Sequence, residues 1–114
     1  MAVDSSLISL KRTSAFLTMY RAGRWVHGPA LSIGVLKNAE GTTRIGLRTR
    51  RGLKGAVERN RLKRQLRAIV HQRDINLRVG LDVVIVAHPS ALPANTNRLR
   101  TELLSLCKRL NILS

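Results

Sequence analysis

The sequence predicts an α+β domain in which helices pack on a single sheet. Three patterns predict it. Apolar residues alternate with small or basic ones over 30–35 and 44–50, which is the period of half-buried strands. The unbroken run Val83-Val84-Ile85-Val86 suits a central strand buried on both faces. Two further stretches place apolar residues at helical spacing: Leu62, Leu66, Ile69 and Val70, then Leu99, Leu103, Leu106 and Leu110.

The elements follow in order along one domain, 1–114. Residues 1–12 read as a loose arm, flexible over 1–9. Thr13 or Ser14 caps a short helix that runs to about Ala22 and stops at Gly23. Phe16 and Tyr20 lie four apart and share one face of that helix, with Leu17 on its flank. Trp25 and Val26 form a short extended piece. Pro29 opens a better strand, with Leu31, Ile33 and Val35 on one face and Ala30, Ser32 and Gly34 on the other. Lys37-Asn38-Ala39-Glu40-Gly41 reads as a hairpin loop. The strand after it sets Ile45 and Leu47 against Arg44, Gly46, Arg48 and Arg50. Gly52 and Gly55 punctuate a loop, and a helix covers about 56–73. Leu81–Ala87 is the next strand, ended by His88-Pro89. Asn95 caps the last helix. The order is α-β-β-β-α-β-α.

Twenty-one Lys and Arg face six Asp and Glu, a formal charge of +15. Such self-repulsion is tolerated more easily when a polyanion neutralises it. Nucleic acid is the first candidate and an anionic membrane surface the second. Arg outnumbers Lys, and its planar fork suits phosphates and stacking on bases. Cys107 is the only cysteine, so an internal disulfide is impossible and a reducing cytoplasm fits. The first residues lack the pattern of a signal peptide. The longest apolar stretch, near Val83–Ala87, is too short to span a bilayer.

Several chemistries lack their residues. His27, His71 and His88 are scattered, without zinc-ligand spacing, and are expected on the surface or in loops. Cys107 falls on the apolar side of the last helix as a small hydrophobe. No carboxylate cluster resembles a two-metal nuclease site, and no glycine pattern forms a P-loop. The chain is therefore expected to hold no catalytic residue, no metal site and no cofactor of its own.

The sharpest feature is basic. Arg59, Lys63 and Arg67 stack at i, i+4 and i+8; Asn60 and Arg64 form the adjacent row, and Arg61 lies further round. Like charges four apart cost an isolated helix roughly 0.2–0.5 kcal/mol per pair. A docked phosphate backbone offsets that cost. A solvated face is the bland alternative, but it normally mixes signs, and Glu58 is the one acid over 44–67. A second surface combines Phe16 and Tyr20 with a floor of Ser32, Gly34 and Arg48. Aromatics over a basic floor suit single-stranded nucleic acid. The alternative is that both aromatics are core.

The stretch Gly55-Ala56-Val57-Glu58-Arg59-Asn60-Arg61-Leu62-Lys63-Arg64-Gln65-Leu66-Arg67 resembles the signature helix of the bacterial ribonuclease P protein family. Leu10-Lys11-Arg12, Phe16, Tyr20 and Gly23 are similar to the family's first helix. Ile45-Gly46-Leu47 resembles its hairpin and Gly80–Ala87 its last strand. The resemblance spans roughly 10–110.

That resemblance implies an α-β-β-β-α-β-α sandwich (ribosomal protein S5 domain 2-like) with a left-handed βαβ crossover, against the usual handedness. It implies that the signature helix and the preceding loop contact a catalytic RNA, here through Arg51, Lys54, Arg59, Asn60, Arg61, Lys63, Arg64 and Arg67. It implies that a cleft between first helix and sheet holds the single-stranded 5′ leader of precursor tRNA, here through Phe16, Tyr20, Ser32, Gly34, Arg48 and Arg50. Hydrolysis would belong to the RNA and the Mg2+ that the ribonucleoprotein requires. The implied partners are the catalytic RNA and precursor tRNA, with no membrane and no protein partner. A basic ribosomal protein or RNA chaperone is the rival reading. The chain departs from the family at Gly34, where a large residue is common, at Gly52 and His88, where basic residues are common, and at Ala15, where an acid is common.

Overall fold

The computed structural model describes residues 7–9, 13–39, 41–50, 55–71, 75–92 and 95–114, with side chains described from Phe16 onward. In chain order the elements are β1 (Leu7–Ser9), α1 (Thr13–Ala22), β2 (Arg24–His27), β3 (Leu31–Lys37), β4 (Thr43–Thr49), α2 (Ala56–Val70), β5 (Leu81–Ala87) and α3 (Thr96–Leu110). The expected order is present, with one extra strand in front. Asn95 caps α3 as its sequence position predicts: its side chain accepts from the Arg98 N–H at 3.0 Å.

Every residue of β5 is buried, as its unbroken apolar run predicts. The sheet is ordered β1-β4-β5-β3-β2, so β5 is its centre. It runs parallel to β4 and antiparallel to β3. This corrects the hairpin expected at 37–41: β3 and β4 do not pair with each other, because β5 lies between them. The insertion satisfies both backbone edges of an apolar strand and covers both its faces. The 37–41 connection passes the start of β5 instead, and the Asn38 N–H donates to the Gly80 carbonyl at 2.8 Å. The actual hairpin is β2–β3, with Trp25 opposite Gly34 and His27 opposite Ser32. A second correction concerns the amino-terminal arm. Leu7–Ser9, inside the stretch expected to be loose, pair in parallel with Thr43–Ile45. Three residues are too few to show a period.

The sheet separates two apolar clusters. On one face, α2 and α3 pack Leu62, Leu66, Ile69, Leu99, Leu103 and Leu106 against Ile33, Val35, Val83 and Ile85. Cys107 is buried there, and burial pushes its thiol up to about 12. On the other face, α1 packs Phe16 and Met19 against Val84 and Val86. The buried Asp82 carboxylate is matched across the parallel pair by Arg44, whose Nε and terminal nitrogen each donate at 2.7 Å. Asn38 Nδ2 adds a third donor at 2.8 Å. Arg44 is thus engaged within the protein, although in sequence it counts with the basic face of β4.

Phe16 is 5% exposed. The apolar face of α1 runs from Phe16 to Met19, three residues on, and not to Tyr20. Replacing Phe16 by Ala is expected to cost about 3–5 kcal/mol of folding stability, the usual range for a buried Phe. Denaturant unfolding measures it, and a change within about 0.5 kcal/mol would show that the ring is not core.

Candidate nucleic-acid interfaces

The first interface is the outer face of α2. Leu62 and Leu66 anchor the helix, which turns Asn60, Arg61, Arg64 and Arg67 outward and leaves Arg59 and Lys63 half-buried on its flank. Gly55 starts the helix with φ 83°, a left-handed conformation that glycine adopts without penalty, and no side chain caps it. Arg51 and Lys54, expected to extend this surface, lie outside the described residues.

The second interface lies on the opposite face of the sheet. One row of paired residues crosses it: Arg48 beside Val86, Val86 beside Ser32, Ser32 beside His27. Above this row opens a cleft of about 500 Å³, lined by Tyr20, Trp25, His27, Ser32, Arg48, Thr49, Arg50 and Val86. No carboxylate is among these lining residues. Of the six residues expected here, Tyr20, Ser32, Arg48 and Arg50 line the cleft. Phe16 does not, since it is buried under α1 with the Arg48 guanidinium 3.8 Å from its ring centre, a cation–π contact. Gly34 does not either, because the indole of Trp25 covers it.

Trp25 and His27 escape a reading of the sequence alone. Their signal is the register of the β2–β3 hairpin, which places Trp25 on a glycine. Tyr20 and Trp25 stack with ring centres 5.3 Å apart and planes 2° apart. Trp25 and His27 follow at 6.3 Å and 7°.

Beneath the rings, Ser32 Oγ bridges His27 Nδ1 and His88 Nε2 at 2.7 Å from each. The hydroxyl carries one proton, so it donates to one imidazole at most and accepts from the other. His88 lies in the connection after β5, as its sequence position predicts, but it is buried rather than on the surface: its backbone N–H donates to the Ala30 carbonyl and draws the chain end of β5 onto the β3 side. Glu102 of α3 accepts from the N–H groups of Ala30 and Leu31 and fixes the same corner. Among the described residues, no three of His, Cys, Asp and Glu gather in a metal-sized cluster, and no helix is long and apolar enough to cross a membrane.

Residues 6–111 match the family Ribonuclease P. The chain belongs to the ribonuclease P protein family. It is 38% identical over 105 residues to the ribonuclease P protein component of Symbiobacterium thermophilum, covering 91% of each chain. It is 32% identical over 109 residues to that of Microcystis aeruginosa, again covering 91% of each. The fold is similar to that of the RNase P protein from Thermotoga maritima, with TM-score 0.79, 25% identity and 89% and 96% of the two chains covered. It is also similar to the Staphylococcus aureus RNase P protein, with TM-score 0.83, 21% identity and 93% and 97% covered. At Gly34 the neighbouring strand supplies an aromatic ring, Trp25, to the place that a side chain would fill.

Burial, then the nearby Arg50 guanidinium, hold His88 below its ordinary value near 6.5, with Glu102 opposing. A group with a depressed folded pKa contributes stability above its unfolded value. That stability is lost as pH falls, because the unfolded chain takes up the proton first. Thermal melts are therefore expected to decline as pH drops below about 6.5, and His88→Gln is expected to flatten part of that decline. Identical pH profiles for wild type and variant would remove His88 from the account.

Proposed function

We propose that this chain serves ribonuclease P as its RNA-binding protein subunit. The outer face of α2 binds the catalytic RNA, and the cleft between α1 and the sheet holds the 5′ leader of precursor tRNA. One observation carries the reading: two basic surfaces occupy opposite faces of one sheet and differ in chemistry. The α2 surface offers Arg61, Arg64 and Arg67 beside Asn60 with no aromatic ring, which suits phosphates irrespective of sequence. The cleft joins aromatic rings to Arg48 and Arg50, which suits unpaired bases and their backbone.

In this reading the protein neutralises phosphates, lets two RNAs approach, and grips the leader. Phosphodiester hydrolysis belongs to the RNA with Mg2+. The ions are assigned to the RNA in this proposal. Family membership and, among the described residues, the absence of a carboxylate pair in either surface support this division.

Reconstitution tests it. The protein alone is expected not to process precursor tRNA, and the catalytic RNA to do so weakly at high magnesium. Adding the protein is expected to lower the magnesium requirement. Site-specific cleavage by nuclease-free protein, or no effect of protein on the RNA, would overturn the proposal.

Binding to the catalytic RNA is expected to weaken steeply with salt as counterions are released. Arg64→Ala is expected to flatten the logarithmic salt slope by about one unit or less, since Arg64 is exposed on the outer row of α2. An unchanged slope for Ala variants at Arg59, Arg61, Lys63, Arg64 and Arg67 alike would return α2 to a solvated face.

A further inference from the structure

Gly34 stands in the middle of β3, between Ile33 and Val35. A glycine there weakens a strand unless something must approach the backbone closely. Trp25 makes that approach. A Cβ on Gly34 would lie 2.6 Å from indole carbons Cε2 and Cζ2. The indole Nε1 donates to the Met19 carbonyl at 3.1 Å, so the ring is tied to α1 as well as seated on the sheet. Its plane then sets those of Tyr20 and His27, which lie parallel to it within 2° and 7°. Tyr20 is 55% exposed despite its size, and all three rings line the cleft that Arg48 and Arg50 close with positive charge. Packing alone does not call for this. A core indole needs neither an exposed tyrosine stacked on it nor a charged wall opposite.

We infer that Trp25, admitted by Gly34, is a stacking and positioning residue for nucleobases in this cleft. The Tyr20–Trp25–His27 rings form a ladder that an unpaired base extends, while Arg48 and Arg50 receive the adjoining phosphates. The inference rests on the leader-binding reading above and adds to it the pair on which the aromatic wall depends. Trp25 is the shared partner in both ring contacts of the wall, with Tyr20 and with His27.

Trp25 is the only tryptophan in the chain, so its emission reports on the ladder directly. The holoenzyme is titrated with precursor tRNA and, separately, with mature tRNA. Emission is expected to be quenched by the precursor and to stay unchanged with the mature form. Trp25→Ala is expected to lower precursor affinity about fivefold or more, the lower end of the effect of losing one base–aromatic stack. Trp25→Phe is expected to recover most of it, and Gly34→Ala to reproduce the loss by displacing the indole. Affinity for the catalytic RNA, read alongside, reports whether each variant folds. Unchanged emission with precursor, or wild-type precursor affinity in folded Trp25→Ala or Gly34→Ala, would overturn the inference even if the alanine at 25 fails to fold. A wild-type holoenzyme that does not prefer precursor to mature tRNA would instead overturn the leader-binding reading itself.

Discussion

The two-sided burial of β5 is the constraint from which the rest of the arrangement follows. A strand with Val83, Val84, Ile85 and Val86 in succession needs apolar cover on both faces and a paired backbone on both edges. The edges are met by β4 on one side and β3 on the other. The faces are met by α2 and α3 beneath and α1 above. The same demand explains why β3 and β4, consecutive in the chain, are not neighbours in the sheet. It also explains why Asp82, carried into the interior by its strand, is met by three donors from Arg44 and Asn38. A carboxylate with fewer partners would be costly at that depth.

Once helices must lie on both faces, the basic residues are divided as well. Those on the outer side of α2 point away from one face, and those of β4 that follow Arg44 point toward the other. A small domain thereby gains two cationic surfaces on opposite sides of one sheet. The surfaces differ because their supports differ. A helix exposes long side chains in rows that follow a phosphate backbone. The row Arg48, Val86, Ser32 and His27 makes a floor, and a floor with rings above it has depth.

The cleft is also where the ordinary packing rules are relaxed. A glycine interrupts β3, a tyrosine is left exposed, and two imidazoles share one hydroxyl. Elsewhere the layers are occupied by branched aliphatics in regular register. Departures from local preference gathered at one place are expected where a surface is shaped for a ligand. The position of Phe16 shows the same division of labour: the ring that fills the second core cannot also be offered to a ligand, and Tyr20 with Trp25 takes the open position.

The sequence by itself determined the identity and order of the main elements, the two-sided burial of β5, the cap of α3 and the basic outer face of α2. All of these depend on spacing within a segment, and spacing within a segment is local geometry. The tertiary structure alone decided that β5 separates β3 from β4, that Leu7–Ser9 add a strand, that Phe16 and His88 are buried, and that Trp25 fills the place of a side chain at 34. Each of those depends on which distant residue lies opposite. Strand adjacency is chosen by the burial and hydrogen bonding of the whole sheet, so no pattern within a single strand records it.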